Sequence, residues 1–156
     1  MNEHRIRRAV PEDAALVTAM LYEFAEHQNQ IDYVAVTAGR WSDLLCRPDI
    51  VVLIAELAGQ PVGYVSAFSR PHLWSGTDIL ALDDLYVRET ARDAGVGRAL
   101  MVALARHAAP HGYVITWSVQ PDNHGAQRFY RRLGANLRSK FSASWEPDAY
   151  RRTLLD

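Results

Sequence analysis

A short loop rich in glycine and arginine is the clearest chemical feature of the sequence. It reads Arg92-Asp-Ala-Gly95-Val-Gly97-Arg98 and joins an apolar run to a segment with helical spacing. The first amides of a helix lack intrahelical partners and carry partial positive charge, while guanidinium groups match phosphate oxygens. Glycine also lets a ligand approach the backbone. The loop therefore predicts a site for a diphosphate-like anion, with an ordinary turn as the alternative.

Other phosphate-binding loops do not fit this spacing. No Lys-Ser or Lys-Thr pair follows the glycines, as a nucleoside triphosphate loop requires. Ala99 and Leu100 stand where a dinucleotide-binding loop has its third glycine. The expected anion is therefore neither a nucleoside triphosphate nor a nicotinamide dinucleotide.

Two adjacent carboxylates, Asp83 and Asp84, interrupt the apolar run before the loop, which reads ILALDDLYV. A buried carboxylate without partners costs free energy, so at least one of the two should face a polar cleft. Strand alternation places them on opposite faces unless a bulge intervenes. A carboxylate in a cleft can accept a proton from a substrate. The alternative is that either residue caps a bulge or pairs with an arginine.

Strand and helix patterns must position these residues. We expect strands at 4–10, 50–57, 62–68, 79–87, 113–119, 136–144 and 149–154, and helices at 11–27, 37–47, 97–109 and 123–133. The glycine loop lies in a strand–helix–strand crossover, so the strands that it links should be parallel neighbours. The predicted fold class is α/β (α+β), one mixed sheet with helices on its faces.

Length, composition and charge limit the class of protein. With 156 residues, 49% of them hydrophobic and 22% charged, residues 1–156 are expected to form a single domain. A formal net charge of −1 offers no general attraction for nucleic acid, and no apolar run is long enough to span a membrane. We expect a cytoplasmic protein whose one cysteine, Cys46, is buried. His107 and His111 flank Pro110 without a third ligand nearby, so no metal site is predicted.

The loop and a second motif together resemble the GNAT family of N-acetyltransferases. Arg92 to Gly97 matches the family's Arg/Gln-x-x-Gly-x-Gly/Ala signature, which follows the fourth strand and binds the pyrophosphate of acetyl-CoA. The second signature, Asn-x-x-Ala-x-x-Phe-Tyr-x-x-x-Gly, is matched by Asn123, Ala126, Phe129, Tyr130 and Gly134. The resemblance covers essentially the whole chain. It implies a mostly antiparallel sheet with a central, splayed parallel strand pair and helices on both faces.

The similarity is greatest to the family branch of diamine (spermidine/spermine) and thialysine acetyltransferases. That branch has Leu-Glu-Asp in its fourth strand where this chain has Leu82-Asp83-Asp84, and its Trp-x-Gly is matched by Trp74-Ser75-Gly76. The shorter Asp83 departs from the branch's Glu, and the segment NQIDYVAV is less acidic than its counterpart in the polyamine enzymes. These departures argue against a polycationic substrate. The expected acceptor is a primary amine of a small molecule.

The resemblance implies a role for each matching residue. Tyr130 takes the position of a general acid that protonates the leaving thiolate, and Asp83 that of a base acting through water. The implied contacts to acetyl-CoA are the backbone of Leu85, Tyr86 and Val87, the loop residues Arg92, Asp93, Ala94, Gly95, Val96, Gly97 and Arg98, and also Asn123, Ala126 and Tyr130. An alternative role for Asn123 is a helix N-cap.

Substrate contacts and partners are expectations of the same kind. Glu26, Trp74, Asp83 and Asp84 are the candidate substrate-binding residues, because acidic and aromatic side chains suit an ammonium group. The predicted final strands, which we expect to be exposed, and the branch resemblance together suggest a homodimer. The net charge and the lack of a long apolar run predict no nucleic-acid partner and no membrane partner. Two other functions stay open. One is acetylation of protein lysines or N-termini, and the other is a non-catalytic acyl-CoA-binding module that needs neither Tyr130 nor an acidic strand residue.

Overall fold

The computed structural model describes residues 4–155, which form five strands, five α-helices and four short 3-10 helices. The strands are β1 (His4–Arg8), β2 (Ile50–Leu57), β3 (Gln60–His72), β4 (Thr77–Val87) and β5 (Ile115–Thr116). The helices are α1 (Ala14–His27), α2 (Ala38–Leu45), α3 (Val96–Ala108), α4 (His124–Arg132) and α5 (Pro147–Thr153). The chain forms two compact units, Met1–Ser118 and Val119–Asp156, and the whole sheet belongs to the first.

The sheet is mixed, which confirms the predicted fold class. Its strand order is β1-β2-β3-β4-β5, with antiparallel pairing from β1 to β4 and parallel pairing between β4 and β5. The parallel pair is short, because Ile115 and Thr116 pair with only Leu80 and Ala81. β4 continues to Val87 with no parallel strand beside it among the described residues. The two parallel strands therefore part after one short contact, as the splayed pair requires.

The two strands expected at 136–144 and 149–154 are wrong. Residues 135–146 form no regular element, and α5 takes the place of the second strand. Pro147 and Asp148 stand in the first turn of α5 and two arginines in its last turn, an arrangement that favours a helix. Without these strands the parallel pair lies at the edge of the described sheet, not at its centre.

Helices cover both faces of the sheet, as expected. Helices α1 and α2 bury a cluster against alternate strand residues, with Val17, Met20, Trp41, Val52, Ile54, Tyr64 and Tyr86 among its members. None of the residues described in this cluster comes from α3, which instead contacts β1 to β4. Helix α3 therefore lies on the opposite face, and its buried Leu100 and Leu104 repeat at helical spacing.

The expected burial of Cys46 is wrong. Helix α2 starts where the Thr37 hydroxyl accepts a hydrogen bond from the Arg40 amide at 3.1 Å. Its buried residue is Trp41, and Cys46 follows five residues later. Five residues turn a helix by about 500°, which carries the thiol well away from the face that Trp41 buries. The side chain is exposed, with its sulfur 3.4 Å from the Ser42 carbonyl oxygen.

Gly63 allows β3 and β4 to approach closely near the end of β4. It pairs with Val87, and a Cβ placed on it would lie 2.5 Å from the Tyr86 carbonyl oxygen and 3.2 Å from the Val87 Cα. Both are backbone atoms, which cannot rotate away as a side chain can. Glycine is therefore required at this position for space.

We predict that Gly63→Ala lowers the free energy of unfolding by about 2–3 kcal/mol, because the strands must separate to admit the methyl group. Gly39→Ala is the matched control. Its Cβ would meet only the Thr37 hydroxyl at 3.8 Å, and alanine favours the helix by about 0.5 kcal/mol. Urea denaturation measures both variants. Equal stabilities for the two would contradict the close approach.

Candidate active site

β4 contains one residue more than β3 at the point where the two carboxylates stand. Ser66 pairs with Asp84, and the next residue of β3, Ala67, pairs with Leu82. Asp83 is thus the extra residue of a β-bulge. The bulge therefore determines which face of the sheet each aspartate occupies.

Because of the bulge, both aspartates belong to one face of the sheet. On one side of it, Ala81 pairs with Phe68, and on the other side Tyr86 pairs with Tyr64. These two β3 residues are four positions apart and therefore share a face. Counting alternation inward from Ala81 and from Tyr86 brings each aspartate to that same face, which α1 and α2 cover.

A cleft of about 410 Å³ opens where β4 and β5 part. Its lining comes from β3, β4, β5 and the residues just after β5: Phe68, Arg70, Ala81, Leu82, Asp83, Thr116, Trp117 and Ser118. Arg70 and Asp83 are the two charged side chains in that lining, and most of the others are apolar or small. The cleft therefore combines one carboxylate and one guanidinium with an apolar floor.

Asp83 has the properties of a proton acceptor. Its side chain is exposed to the cleft, and partial desolvation raises the pKa of its carboxyl above the ordinary value. No hydrogen bond or ion pair to another described residue occupies it. A carboxylate with a raised pKa binds a proton more tightly, which suits a base.

Asp84 has a different environment from its neighbour. The Tyr64 hydroxyl donates a hydrogen bond of 2.9 Å to its carboxylate, and the Asp84 amide donates to the buried Ser66 hydroxyl at 3.2 Å. Burial raises the pKa of Asp84, the Tyr64 hydrogen bond opposes that rise, and the charge of Asp83 adds to it. The side chain is partly buried and already bonded, so it holds the bulge in place.

The glycine loop has the backbone of a helix start. Gly95 is the N-cap of α3 with φ of +81°, and Asp93 before it also has positive φ. A Cβ on Gly95 would lie 3.6 Å from the His4 ring, an ordinary contact, so the conformation rather than the space requires glycine. No side chain of the described residues caps the first amides of α3. Arg98 stands in its first turn, where a positive charge opposes the helix dipole unless an anion is present.

A second cleft, of about 550 Å³, lies between β1 and α3. Its lining includes His4 and Gly95, and it extends along α3 past Arg98 to Arg106. The two arginines are eight residues apart, about two turns of the helix. Substitution of Arg98 and of Arg106 can therefore distinguish a ligand bound at the first turn of α3 from one that lies along the helix.

Polar side chains fix the end of β4. Arg88 donates to both carboxylate oxygens of Glu23, at 2.7 and 2.9 Å, and the Tyr86 hydroxyl donates to the same carboxylate at 3.2 Å. The Arg88 guanidinium lowers the pKa of Glu23. In the loop that follows, Arg92 donates through Nε to the Val87 carbonyl at 3.1 Å. Helix α1, the end of β4 and the glycine loop are thus tied together.

The second unit carries the remaining motif residues on α4. The Asn123 side chain accepts a hydrogen bond from the Ala126 amide at 3.1 Å, which makes it the N-cap of this helix. Tyr130 is buried, and burial raises the pKa of its phenol. Its ring lies 5.2 Å from that of Phe129, edge to face.

Three of the four predicted substrate contacts, Glu26, Trp74 and Asp84, do not line the cleft. Glu26 is exposed on α1, and Trp74 is 97% exposed in the turn between β3 and β4. Arg70 does line the cleft and was missed in the sequence. The available signal was a charged residue just after the strand predicted at 62–68, which in the structure extends to His72 and so includes Arg70. A polar residue near the end of an apolar strand is common, so this signal was weak.

Within residues 4–155, no three His, Cys, Asp or Glu side chains are grouped closely enough to hold a metal ion. None of the helices in the described chain combines the length and the apolar character needed to cross a membrane.

The known proteins that this chain resembles include acetyltransferases. A family model described as "Acetyltransferase (GNAT) family" matches residues 16–135. The thialysine N-epsilon-acetyltransferase of Caenorhabditis elegans is 28% identical over 131 residues, which cover 83% of this chain and 81% of that protein. The D-amino-acid N-acetyltransferase of Saccharomyces cerevisiae is 30% identical over 76 residues, covering 48% of this chain and 47% of that protein. An aminoglycoside acetyltransferase crystal structure from a soil metagenome superposes with a TM-score of 0.77 at 21% identity, covering 93% and 98% of the two chains.

Asp84 predicts a dependence of stability on pH. Because burial raises its pKa, the folded protein binds the proton more tightly than the unfolded chain does. The free energy of unfolding therefore falls as pH rises from the unfolded pKa of about 3.9 through the raised folded value. Asn at this position can accept the Tyr64 hydrogen bond without the charge. We expect Asp84→Asn to be more stable than the wild type at pH 7, with no difference below about pH 4.

Denaturant titrations at both pH values measure this effect. Asp43→Asn, at an exposed position of α2, controls for the loss of one negative charge. If Asp84→Asn is less stable than the wild type at neutral pH, then the Tyr64 hydrogen bond outweighs burial and the stated cause is wrong.

Proposed function

The chain belongs to the acetyltransferase (GNAT) family, and we propose that it transfers the acetyl group of acetyl-CoA to a primary amine of a small molecule. The observation that carries this proposal is the bulge in β4, because it directs the Asp83 carboxylate into the cleft between the diverging parallel strands. An amine acceptor needs a base at such a position. The roles that follow for individual residues are part of the proposal.

The residues around the α3 N-terminus suit the diphosphate of acetyl-CoA. The first amides of α3 have no side-chain cap among the described residues, and its first turn holds Arg98 and no acidic residue. An anion at this point would accept hydrogen bonds from those amides and offset the charge of Arg98. The backbone of Leu85, Tyr86 and Val87 lies beyond the last parallel pair, where an extended ligand can pair with a strand edge. Asn123 and Ala126 supply the remaining contacts in this proposal.

Asp83 acts as the base. Acetyl-CoA supplies an acetyl thioester whose carbonyl carbon the amine attacks, with coenzyme A as the leaving group. A lysine-type amine has a pKa of about 10.4, so only about one molecule in a few thousand is neutral at pH 7. Asp83 accepts the ammonium proton through a bridging water, which frees the nitrogen lone pair to form the new C–N bond.

Tyr130 acts as the acid. A tyrosine phenol with an ordinary pKa of about 10 is protonated at neutral pH, and burial raises the pKa of Tyr130 further. The phenol gives its proton to the thiolate sulfur as the C–S bond breaks. The attacking nitrogen loses its second proton to solvent as the amide forms, and the tyrosine regains a proton from solvent. The proton taken by Asp83 returns to water, so the enzyme ends the cycle in its starting state.

The acceptor is proposed to be small because of the relatives that match this chain. The names of two of them state that they acetylate thialysine and D-amino acids, which are small amines. Acetylation of protein lysines or N-termini is the alternative, and a screen that includes a lysine-containing peptide separates the two.

Further parts of the proposal concern the organisation of the protein. The match to the family model at 16–135 extends across both compact units, which supports a single catalytic domain over 1–156. We also propose that the protein forms a homodimer, as the branch resemblance implies. We propose further that it lies in the cytoplasm and acts without a nucleic-acid or membrane partner. Light scattering of the purified chain tests the dimer.

Acetyl-CoA binding tests the function directly. We expect acetyl-CoA to raise the melting temperature of the protein saturably. Arg98→Gln should weaken the affinity about 10- to 100-fold, the effect of one lost charge-assisted hydrogen bond. Arg106→Gln, two turns along the same helix, should leave it unchanged. Equal losses in both variants would place the anion along α3 instead of at its first turn, and no binding at millimolar acetyl-CoA would refute the proposed function.

Loss of either proton-transfer group should slow turnover while the cofactor still binds. Tyr130→Phe and Asp83→Asn should each lower kcat about 10²–10⁴-fold, the range for one positioned acid or base. Asp83→Asn should also remove the acidic limb of the pH profile, whereas Tyr130→Phe should not. The release of coenzyme A thiol measures both. Full turnover in both variants would assign the chemistry to other residues, and cofactor binding by an inactive wild type would favour the non-catalytic module.

A further inference from the structure

The cleft beside Asp83 also holds a positive charge that the proposed chemistry does not use. Arg70 lies on β3 opposite Ile79 of β4, and its side chain lines the same cleft as Asp83. It is exposed, and none of the ion pairs among residues 4–155 includes it. An arginine with no carboxylate partner in a ligand-sized cleft is available to bind one from a ligand.

The register sets how far apart the two charges are held. Arg70 pairs with Ile79, and Asp83 follows Ile79 by four residues along β4. At about 3.3 Å per residue, the two strand positions are separated by about 13 Å. The long arginine stem spans part of this distance, and a ligand must span the rest. Phe68 and Ala81 pair with each other between the two charges and form an apolar floor.

We propose that the acceptor is a zwitterion whose primary amine and carboxylate are several carbon atoms apart, as in an ω-amino acid. The ammonium group of the acceptor lies at Asp83, its methylene chain lies on the apolar floor, and its carboxylate pairs with Arg70. A diamine or a polycation places a second positive charge against Arg70, so it is disfavoured. An α-amino acid without a side-chain amine carries both groups on one carbon and cannot span the two sites. This inference rests on the proposed acetyl transfer.

The test compares acceptors that share one amine and differ at the far end. ε-Aminocaproate carries a carboxylate, hexylamine a methyl group and cadaverine a second amine, while alanine has both charges on one carbon. With acetyl-CoA at saturation, we expect kcat/KM for ε-aminocaproate to exceed that for each of the other three by about 10- to 100-fold.

Arg70 variants assign this preference to the guanidinium. Arg70→Gln should raise KM for ε-aminocaproate and bring kcat/KM to the level of hexylamine, with little change in kcat. Arg70→Lys should keep part of the preference. Arg5→Gln is the matched control, because that arginine has 76% of its side chain exposed and lies outside the residues of the cleft.

Several outcomes would overturn the inference. Equal use of hexylamine and ε-aminocaproate by the wild type, or a preference that Arg70→Gln leaves intact, removes Arg70 from acceptor recognition while the acetyl transfer stands. The inference is also overturned if the protein binds acetyl-CoA but acetylates none of the four acceptors, because ε-aminocaproate belongs to the proposed substrate class. Failure to bind acetyl-CoA refutes the proposed function itself, which is a separate result.

Discussion

One extra residue in β4 is the constraint on which the rest of the site depends. A strand without the bulge would send two consecutive carboxylates to opposite faces, one into the α3 layer and one toward α1. With Asp83 as the extra residue, both reach the face where the cleft opens. The short pairing of β4 with β5 matters for the same reason, because the cleft exists only where the parallel strands part.

The bulge is held by groups that are themselves buried or bonded. The Tyr64 hydroxyl and the Ser66 hydroxyl each bond to Asp84, one at its carboxylate and one at its amide. A bulge leaves the ladder locally unpaired, so side-chain hydrogen bonds of this kind replace part of what the backbone loses. Asp84 thus serves the geometry, and Asp83 stays open to a ligand. Two adjacent aspartates therefore have different environments, one hydrogen-bonded within the fold and one lining the cleft.

The sequence predicted the parts of the fold that depend on local pattern. The strand at 50–57 and the helices predicted at 11–27 and 97–109 follow from apolar spacing and helix-start residues, and the structure has them within a few residues. The helix N-cap, which was the alternative role of Asn123, is also present. The bulge could be named only as a possibility, since it depends on the register between β3 and β4. Arg70 became visible only once that register placed it in the cleft. The helix at 147–153 stands where the sequence predicted a strand at 149–154, because Pro147 and Asp148 in its first turn favour a helix.

The exposed position of Cys46 determines how this protein reacts with thiol-directed reagents. It is the one cysteine of the chain, so its thiol has no internal partner for a disulfide. Any disulfide that it forms therefore joins it to a small thiol or to another protein molecule. Maleimides and similar electrophiles therefore label each chain at one thiol, so a dye or a solid support attaches at the end of α2. None of the residues that line the cleft is modified by such labelling.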